Sequence, residues 1–423
     1  PKGEARDAIS PADKTRVVGQ VHEATKEEVA DALDAAEGGY NDWSARPVKE
    51  RADALRKLAD LYESNIAELC AITTREAGKT LLDGIAEVRE AVDFLRYYAN
   101  EAERLEDEQP GGARGIFVCI SPWNFPLAIF TGQIAAALAA GNAVLAKPAE
   151  QTPIIATRAA ELMREAGIPD NVMQLLPGDG PNVGAPLTSD KRIAGVCFTG
   201  STEVAQIIHK TLAKNAGPDA VLIAETGGLN AMIVDSTALT EQAVRDILIS
   251  SFQSAGQRCS ALRMLYVQEE ARDRLLEMLY GAMDALCVGD PWRTDIDVSP
   301  VIDAEAQSDI NGYVAAQKKK GNVTKELAVP DEGTYATPAV VKVKGIADLE
   351  REVFGPVLHV ATFKARDLDR VVDDINARGY GLTFGLHTRI DDRVQEVVDR
   401  IHVGNTYVNR NQIGAIVGSQ PFG

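Results

Sequence analysis

The chain has 423 residues, of which 45% are hydrophobic and 25% charged, and its formal net charge is −18. This size and composition are typical of a globular protein with about two or three domains and a sizeable core. The negative charge argues against a nucleic-acid or anionic-membrane surface, because phosphate contacts need clustered Lys and Arg. The run at 318–320, Lys-Lys-Lys, is too short to reverse this and is predicted to be a solvated helix end.

The cysteines stand far apart in the sequence, at positions 70, 119, 197, 259 and 287. They show neither close pairs nor the spacing of metal ligands, so we expect no disulfide framework and no metal site. A reduced, cytoplasmic compartment is the natural expectation. The first residues carry no positive-then-apolar pattern, so no export signal is indicated.

The first part of the chain is predicted to be helical. Residues 25–36, 48–76 and 81–105 carry apolar residues at three-and-four spacing, with charged residues between them. The mostly apolar stretch 127–146 is as long as a membrane span, but polar residues and Gly interrupt it. We therefore expect a buried helix, a turn and a strand there, and no insertion into a membrane.

From Ile116 onward, short apolar runs alternate with helical patterns, which predicts a βαβα arrangement with a parallel sheet. The predicted strands and helices of this part are 116–120, 133–139, 143–146, 154–166, 172–175, 194–198 and 204–212. A second α/β series follows, at 230–234, 239–252, 262–267 and 271–286. Residues 291–303 and 330–338 are predicted loops, and the fold class is α/β.

Cys259 and Glu225 together suggest a thiolate nucleophile and a carboxylate base. A thiolate adds to an aldehyde, the thiohemiacetal loses hydride to give a thioester, and a base-activated water hydrolyses it. The alternative for a single Cys is a small buried hydrophobe. Gly256 and the polar neighbours of Cys259 favour a thiolate at a backbone turn near a helix start.

A phosphate site is indicated at residues 198–204, Phe-Thr-Gly-Ser-Thr-Glu-Val, although the chain has no G-x-G-x-x-G. The segment joins a predicted strand to a helix whose first N–H groups, with Ser201 as the cap, can bind pyrophosphate. Ordinary helix capping explains Ser201 as well. Lys147 and Glu150 follow another strand and can meet a ribose, where a carboxylate repels a 2′-phosphate and favours NAD over NADP.

Asn124 lies in the segment 121–126, Ser-Pro-Trp-Asn-Phe-Pro, which follows a predicted strand. Two prolines make this loop rigid, so that the Asn124 amide can be aimed at a developing oxyanion. A rigid turn with a capping Asn is the alternative.

The sequence resembles the aldehyde dehydrogenase superfamily over nearly its whole length. The motifs that carry the resemblance stand in the family's order: Pro-Trp-Asn at 122–124, Lys-Pro-Ala-Glu at 147–150, Phe-Thr-Gly-Ser at 198–201, Glu-Thr-Gly-Gly at 225–228, Gly-Gln-Arg-Cys at 256–259, Glu-Val-Phe-Gly-Pro at 352–356 and Pro-Phe-Gly at 421–423. The resemblance implies a Rossmann-like NAD-binding domain, a catalytic α/β domain and a small oligomerisation flap. We assign 1–225 to the NAD-binding domain with its N-terminal helices, and 226–423 to the catalytic domain.

The resemblance also implies roles for individual residues. Cys259 is the nucleophile, Glu225 activates the deacylating water, and Asn124 is the oxyanion donor together with the Cys259 backbone N–H. The implied NAD-binding residues are Ile120, Trp123, Lys147, Glu150, Gly200, Ser201, Glu352 and Phe354. Without its neighbours, Glu352 would be interpreted as a surface carboxylate at a helix end.

Segments 223–232, 254–263 and 407–415 more closely resemble the L-glutamate γ-semialdehyde dehydrogenase module of bifunctional proline-catabolising enzymes. That substrate has an α-carboxylate, an ammonium and an aliphatic stem. The Ser260 hydroxyl and the N–H groups of Gly414 and Ala415 would donate to the carboxylate, and Glu90 would meet the ammonium. Phe125 and Phe422 would line the stem. A solvated helix face explains Glu90 equally well. The rival functions are oxidation of succinate semialdehyde or a simple aldehyde, and a catalytically silent scaffolding relative.

Two differences from the family concern partners. Relatives continue beyond the motif at 421–423 into a Gly-rich tail and a final strand, so a C-terminal tail is apparently missing. The segment between Tyr98 and Gly115 is short for the usual oligomerisation hairpin. The resemblance itself suggests two partners, a second copy of the chain and a proline dehydrogenase domain or protein.

Overall fold

The computed structural model describes residues 1–108 and 111–420. The chain forms two compact units, Pro1–Thr226 and Gly227–Gly423, and their boundary falls one residue after the predicted one. Phe422, a predicted substrate contact, lies outside the described residues. No helix in the described part of the chain is long and apolar enough to cross a membrane.

The first unit is built around a parallel sheet flanked by helices. Its elements are β1 (Ala5–Ser10), β2 (Asp13–His22), α1 (Lys26–Ser44), α2 (Val48–Ser64), α3 (Ile66–Ala77), α4 (Leu81–Glu108), β3 (Ile116–Ile120), α5 (Ala128–Ala139), β4 (Ala143–Lys147), α6 (Pro153–Ala166), β5 (Met173–Leu175), α7 (Ala185–Ser189), β6 (Ile193–Gly200), α8 (Thr202–Asn215) and β7 (Val221–Thr226). Within the described residues, five parallel strands follow the order β5-β4-β3-β6-β7.

The N-terminal region differs from the prediction in three ways. The antiparallel hairpin β1–β2 precedes the helices and was not predicted, since its strands carry exposed, charged residues rather than a clear alternation. Helix α1 extends to Ser44, because the Trp43 side chain is buried and its Nε1 donates to the Leu138 carbonyl at 2.9 Å. The helix predicted at 48–76 is broken at Asn65.

The second unit is also α/β. Its elements are β8 (Ala231–Val234), α9 (Thr240–Phe252), β9 (Met264–Gln268), α10 (Glu269–Asp284), α11 (Ala304–Lys319), β10 (Val323–Glu326), β11 (Ala339–Lys342), β12 (Val357–Phe363), α12 (Leu368–Asn376), β13 (Thr383–His387), α13 (Asp391–Val398) and β14 (Asn405–Val408). The sheet order is β10-β11-β12-β9-β8-β13-β14, with an antiparallel pair at β10–β11 and parallel pairs elsewhere among the described strands. The predicted α/β fold class is confirmed.

The burial of the central strands explains why short apolar runs in the sequence predicted most of them. Strands β4, β8, β9 and β13 are buried along their whole length, as expected for strands covered on both faces. The apolar stretch at 127–146 forms α5 and β4, as predicted. The lysines at 318–320 are exposed at the end of α11, which also agrees with the prediction.

Candidate active site

In the first unit, four predicted site residues follow or end neighbouring parallel strands. Asn124 lies just after β3, Lys147 ends β4, Ser201 follows β6, and Glu225 lies near the end of β7. The strand order reverses between β3 and β6, because the chain moves outward through β4 and β5 before returning to β6. Open α/β sheets bind ligands beyond the carboxyl ends of the strands at such a reversal. The fold therefore gathers these residues where a dinucleotide is expected.

The start of α8 has the geometry of an anion site. The Ser201 Oγ accepts the Val204 N–H at 3.2 Å, and Gly200 ends the preceding strand. Two apolar side chains on the first two turns of this helix are exposed, Val204 at 43% and Ile207 at 62%. They lie beside the face that Ala205 and Ile208 bury. Sequence reasoning missed this patch, although apolar residues off the buried face of an amphipathic helix were its visible sign.

Lys147 and Glu150 contact each other, as their spacing allows. The buried Lys147 Nζ donates to Glu150 Oε1 at 2.9 Å and to the Pro148 carbonyl at 3.2 Å. Arg6 of the unpredicted hairpin donates to the Glu150 carbonyl at 2.8 Å. The hairpin therefore helps to fix the turn that carries the predicted ribose ligands.

The Asn124 loop, residues 121–127, is held by two buried charged residues that the sequence reasoning did not identify. Glu87 of α4 accepts the backbone N–H groups of Leu127 at 2.9 Å and Ala128 at 3.0 Å through Oε1. Its Oε2 lies 2.7 Å from Lys79 Nζ, and that ammonium lies 4.3 Å from the centre of the Phe125 ring. A carboxylate at a helix N-terminus satisfies otherwise unpaired N–H groups, so Glu87 fixes the loop's exit.

Glu225 pairs in register with Thr199 across β6 and β7 and is half-buried. Burial raises the pKa of its carboxyl above the usual range. A raised pKa brings a carboxylate closer to the strength needed to take a proton from water near neutral pH.

The Cys259 loop, residues 253–263, lies in the second unit. Gln257 to Ser260 form a turn between the end of α9 and the start of β9, and Cys259 is partly exposed. The predicted turn is present, but a helix ends before it and a strand follows, so the expected helix start is wrong. The physical reason is that Ser254, Ala255 and Gly256 have φ angles of 55°, 54° and 66°, which end the helix.

Side chains of the second unit fix the far end of this loop. Asn230 Nδ2 donates to the Cys259 carbonyl at 2.7 Å and to the Ala261 carbonyl at 3.0 Å. Thr383 Oγ1 donates to the Ser260 carbonyl at 3.2 Å. The backbone from Cys259 to Ala261 is therefore bound by Asn230, which precedes β8, and by Thr383 of β13.

The predicted substrate residues have different environments. Ser260 is buried. Gly414 is exposed with a φ of 78°, and a Cβ built on it meets nothing within 4 Å. Ala415, Phe125 and Glu90 are partly buried. These roles stay predictions.

Glu352 is not the surface carboxylate that its local sequence alone would suggest. Its side chain is 17% exposed, and Oε1 accepts two N–H groups of Arg263, at 2.9 and 3.0 Å. Its Oε2 accepts the Gly228 N–H at 3.1 Å. Burial raises the pKa of the Glu352 carboxyl, although Arg263 and Gly228 oppose the shift. A Cβ on Gly227 would lie 2.0 Å from Oε2, which explains a glycine there.

The comparison with protein families agrees with this architecture. The model described as "Aldehyde dehydrogenase family" matches residues 1–423. The chain belongs to the aldehyde dehydrogenase family, as its motifs predicted. The described residues contain no cluster of His, Cys, Asp and Glu that could hold a metal ion.

Individual relatives narrow the comparison. The chain is 52% identical to "Bifunctional protein PutA" of Klebsiella aerogenes over 100% of its own length and 33% of that relative. It is 36% identical to "1-pyrroline-5-carboxylate dehydrogenase" of Bacillus mycoides, over 98% of the chain and 84% of the relative. A solved 1-pyrroline-5-carboxylate dehydrogenase from Thermus with bound NAD has a TM-score of 0.95 and 34% identity, over 99% of this chain and 84% of that one. The chain thus spans about a third of the bifunctional relatives' length.

Proposed function

We propose that the chain catalyses the NAD-dependent oxidation of L-glutamate γ-semialdehyde to L-glutamate. The observation that carries this proposal is Cys259, a partly exposed thiol on a turn whose backbone is bound on both sides. A nucleophile needs such an exposed, fixed position, whereas a structural cysteine is usually buried. Relatives named 1-pyrroline-5-carboxylate dehydrogenase support the choice of substrate.

The residues present fit a bound dinucleotide. The capped start of α8 offers N–H groups to the pyrophosphate, and the exposed Val204 and Ile207 offer an apolar surface to the adenine. Lys147 and Glu150 would hold the adenosine ribose, and Glu352 with Phe354 would hold the nicotinamide end. Gly200, Trp123 and Ile120 complete the set that the family motifs imply. Glu150 favours NAD over NADP, because a carboxylate repels a 2′-phosphate.

The proposed reaction has two stages. The Cys259 thiolate forms a bond to the aldehyde carbon, and the resulting oxyanion accepts hydrogen bonds from the Asn124 amide and the Cys259 N–H. NAD⁺, when bound, would supply the hydride acceptor, and loss of hydride from that carbon leaves a thioester on Cys259. Glu225 then takes a proton from water as the water oxygen attacks the thioester, and the C–S bond breaks to release the carboxylic acid and the Cys259 thiolate.

Substrate selection is proposed to depend on the α-amino acid group. The Ser260 hydroxyl and the N–H groups of Gly414 and Ala415 would donate to the α-carboxylate, and Glu90 would meet the ammonium. Phe125, with Phe422, would line the aliphatic stem. Succinate semialdehyde, the rival substrate, has a carboxylate at a different carbon and lacks the ammonium.

The proposal is tested by measuring formation of reduced NAD with glutamate γ-semialdehyde and with succinate semialdehyde. We expect a higher kcat/KM for the first, and Cys259→Ala should abolish turnover while NAD binding stays near that of the wild type. Cys287→Ala is a matched control, because Cys287 is exposed and outside the Cys259 loop. Steady-state turnover by Cys259→Ala, or a preference for succinate semialdehyde, would refute the assignment.

Association is a separate part of the proposal. We propose that a proline dehydrogenase domain or partner supplies the substrate, that the chain self-associates, and that it acts in the cytoplasm. The bifunctional relatives, which are about three times as long as this chain, support the first of these. Sedimentation of the chain and a binding assay with a proline dehydrogenase would test the first two.

A further inference from the structure

Arg263 is a buried cation that the proposed chemistry has not used. It lies four residues after Cys259, and its side chain is 1% exposed. A buried charge is costly unless it is paired and its hydrogen-bonding groups are satisfied. Arg263 makes five such bonds, one from Nε, two from Nη1 and two from Nη2, which is the full number of its N–H groups.

Two of these bonds bind the backbone just before the nucleophile. Arg263 Nη1 donates to the Gly256 carbonyl at 2.7 Å, and Nη2 donates to the Arg258 carbonyl at 3.2 Å. The left-handed residues Ser254 and Ala255 precede these carbonyls, and such conformations persist only when surrounding contacts hold them. The guanidinium is such a contact.

The bond to the Arg258 carbonyl also sets the direction of the Cys259 N–H. In a trans peptide the C=O and the following N–H point in opposite directions. Because the Arg258 carbonyl points toward the guanidinium, the Cys259 N–H points away from it. This N–H is the backbone donor proposed for the oxyanion.

The remaining bonds reach the loop that carries Glu352 and Phe354. Nε and Nη2 both donate to Glu352 Oε1, and Nη1 donates to the Gly355 carbonyl at 3.1 Å. The guanidinium carbon lies 5.2 Å from the centre of the Phe354 ring. The two loops are also in direct contact, since a Cβ on Gly256 would lie 2.3 Å from the Gly355 carbonyl oxygen.

We propose that Arg263 is a positioning residue that aims the Cys259 N–H and sulfur and, with the same planar group, orients the Glu352 carboxylate for the cofactor. The inference deepens the proposed function and rests on it. A lysine has three donors around one point and cannot reproduce five donors in a planar fork, so Arg263→Lys keeps the charge but loses the geometry. Both loops should respond to this one substitution.

Two measurements that need no turnover test the inference. The first is the dissociation constant of NAD, and the second is the rate of Cys259 alkylation by iodoacetamide in NAD-free protein, followed on the Cys259 peptide across pH. For Arg263→Lys we expect the dissociation constant to rise about tenfold, equivalent to about 1.4 kcal/mol. We expect alkylation at neutral pH to slow about fivefold, because the backbone that carries the sulfur is no longer held in one geometry by the guanidinium.

Arg51→Lys is the matched control. Arg51 is also buried and donates to backbone carbonyls, those of Ala139 and Arg46, but it lies in α2 of the first unit. The Arg51→Lys substitution should lower the unfolding free energy without changing the NAD dissociation constant or the rate of Cys259 alkylation. If Arg263→Lys loses stability as Arg51→Lys does and changes only one measurement, or neither, Arg263 is structural and the inference is wrong.

Glu352→Gln tests the same link from its other end and is used if Arg263→Lys does not fold. A carboxylate that serves only the cofactor has no influence on the thiol in NAD-free protein, whereas a carboxylate that fixes Arg263 does. We expect slower alkylation of Cys259, and an unchanged rate refutes the inference. These outcomes are distinct from failure of the proposed function, which is decided by aldehyde turnover in the wild type and in Cys259→Ala.

Discussion

The Asn124 loop and the Cys259 loop are held by buried groups of opposite charge. In the first unit, the Glu87 carboxylate accepts the N–H groups of Leu127 and Ala128. In the second unit, the Arg263 guanidinium donates to the carbonyls of Gly256 and Arg258. The sign of each group matches the backbone atoms that its loop leaves unpaired.

The direction of the chain explains this difference. The Asn124 loop leads into a helix, α5, whose first N–H groups have no partner within the helix. The Cys259 loop follows a helix, α9, and its left-handed residues interrupt the helical bonding of carbonyls. A loop before a helix therefore needs an acceptor, such as a carboxylate, and a loop after a helix needs a cation or another donor. Glu76 follows the same rule, because it accepts the N–H groups of Ile154 and Ile155 at the start of α6.

The largest expected effect concerns Glu225, the proposed base of the first unit. Glu225→Gln should preserve the burst of reduced NAD and slow the steady state by roughly 10²- to 10⁴-fold, the usual contribution of a general base. Because burial raises the pKa of Glu225, the wild-type hydrolysis rate should fall with decreasing pH through a pKa above the usual glutamate value. Rapid-mixing kinetics across pH would measure both effects. Loss of the burst together with the steady state would instead make Glu225 necessary for acylation.

The next effect tests the anionic support of the Asn124 loop. Glu87→Gln leaves the Lys79 ammonium buried without its partner, and we expect the unfolding free energy to fall by about 3–5 kcal/mol. The double variant Lys79→Met/Glu87→Gln should recover part of this loss. Urea unfolding would measure both, and equal stabilities of the single and double variants would show that the unpaired Lys79 ammonium has no cost.

Glu76→Gln is the control for Glu87→Gln. Burial raises the pKa of the Glu76 carboxyl to about 8, so its neutral form is already populated at neutral pH and the neutral amide should cost less. Because folding raises the pKa of Glu76, the protonated carboxyl contributes stability that is fully present below the unfolded-state pKa. This stability is lost as pH rises through the folded-state pKa of about 8. The wild type should therefore lose stability relative to Glu76→Gln as pH rises from the unfolded-state pKa to about 8. A constant difference between the two across pH would contradict the raised pKa.

A smaller and selective effect is expected at Ser260 of the second unit. If its hydroxyl donates to the substrate α-carboxylate, Ser260→Ala should lower kcat/KM for glutamate γ-semialdehyde. The expected fall corresponds to a loss of transition-state stabilisation of about 1.5–3 kcal/mol. A simple aldehyde of similar length should be almost unaffected. Equal losses for both aldehydes would show that Ser260 supports the Cys259 loop rather than the substrate.

The smallest expected effect is the difference in stability between alanine variants at two glycines of the second unit. Gly256 and Gly379 both have positive φ, 66° and 72°, but a Cβ would meet backbone atoms of Gly355 and Ser251 only at Gly256. Both alanine variants carry the left-handed cost of about 1–2 kcal/mol, and Gly256→Ala should lose about 1–3 kcal/mol more from overpacking. Only Gly256→Ala should also slow alkylation of Cys259. Equal unfolding free energies would mean that the contact with Gly355 relaxes without cost.

The sequence by itself determined the α/β class, the family and the candidate site residues, because these depend on local patterns. Buried strands read as apolar runs, and each motif pairs a reactive side chain with the Gly, Pro or Ser that its own turn requires. The thiol of Cys259 and the cap at Ser201 were readable in this way. The roles of individual site residues stay predictions, since sequence patterns name chemistry without placing a substrate.

Only the tertiary structure decided which groups hold these motifs in place. Glu87 and Leu127 are 40 residues apart in sequence, and Arg263 and Glu352 are 89 residues apart. Glu87 lies within ordinary helical patterning, Lys79 lies between two predicted helices, and Arg263 looks like any cation at a strand, so their charges predict exposure. Folding buries them, and a buried charge is stable only where unpaired backbone groups or an opposite charge meet it. That pairing depends on packing between distant segments, which no local pattern records.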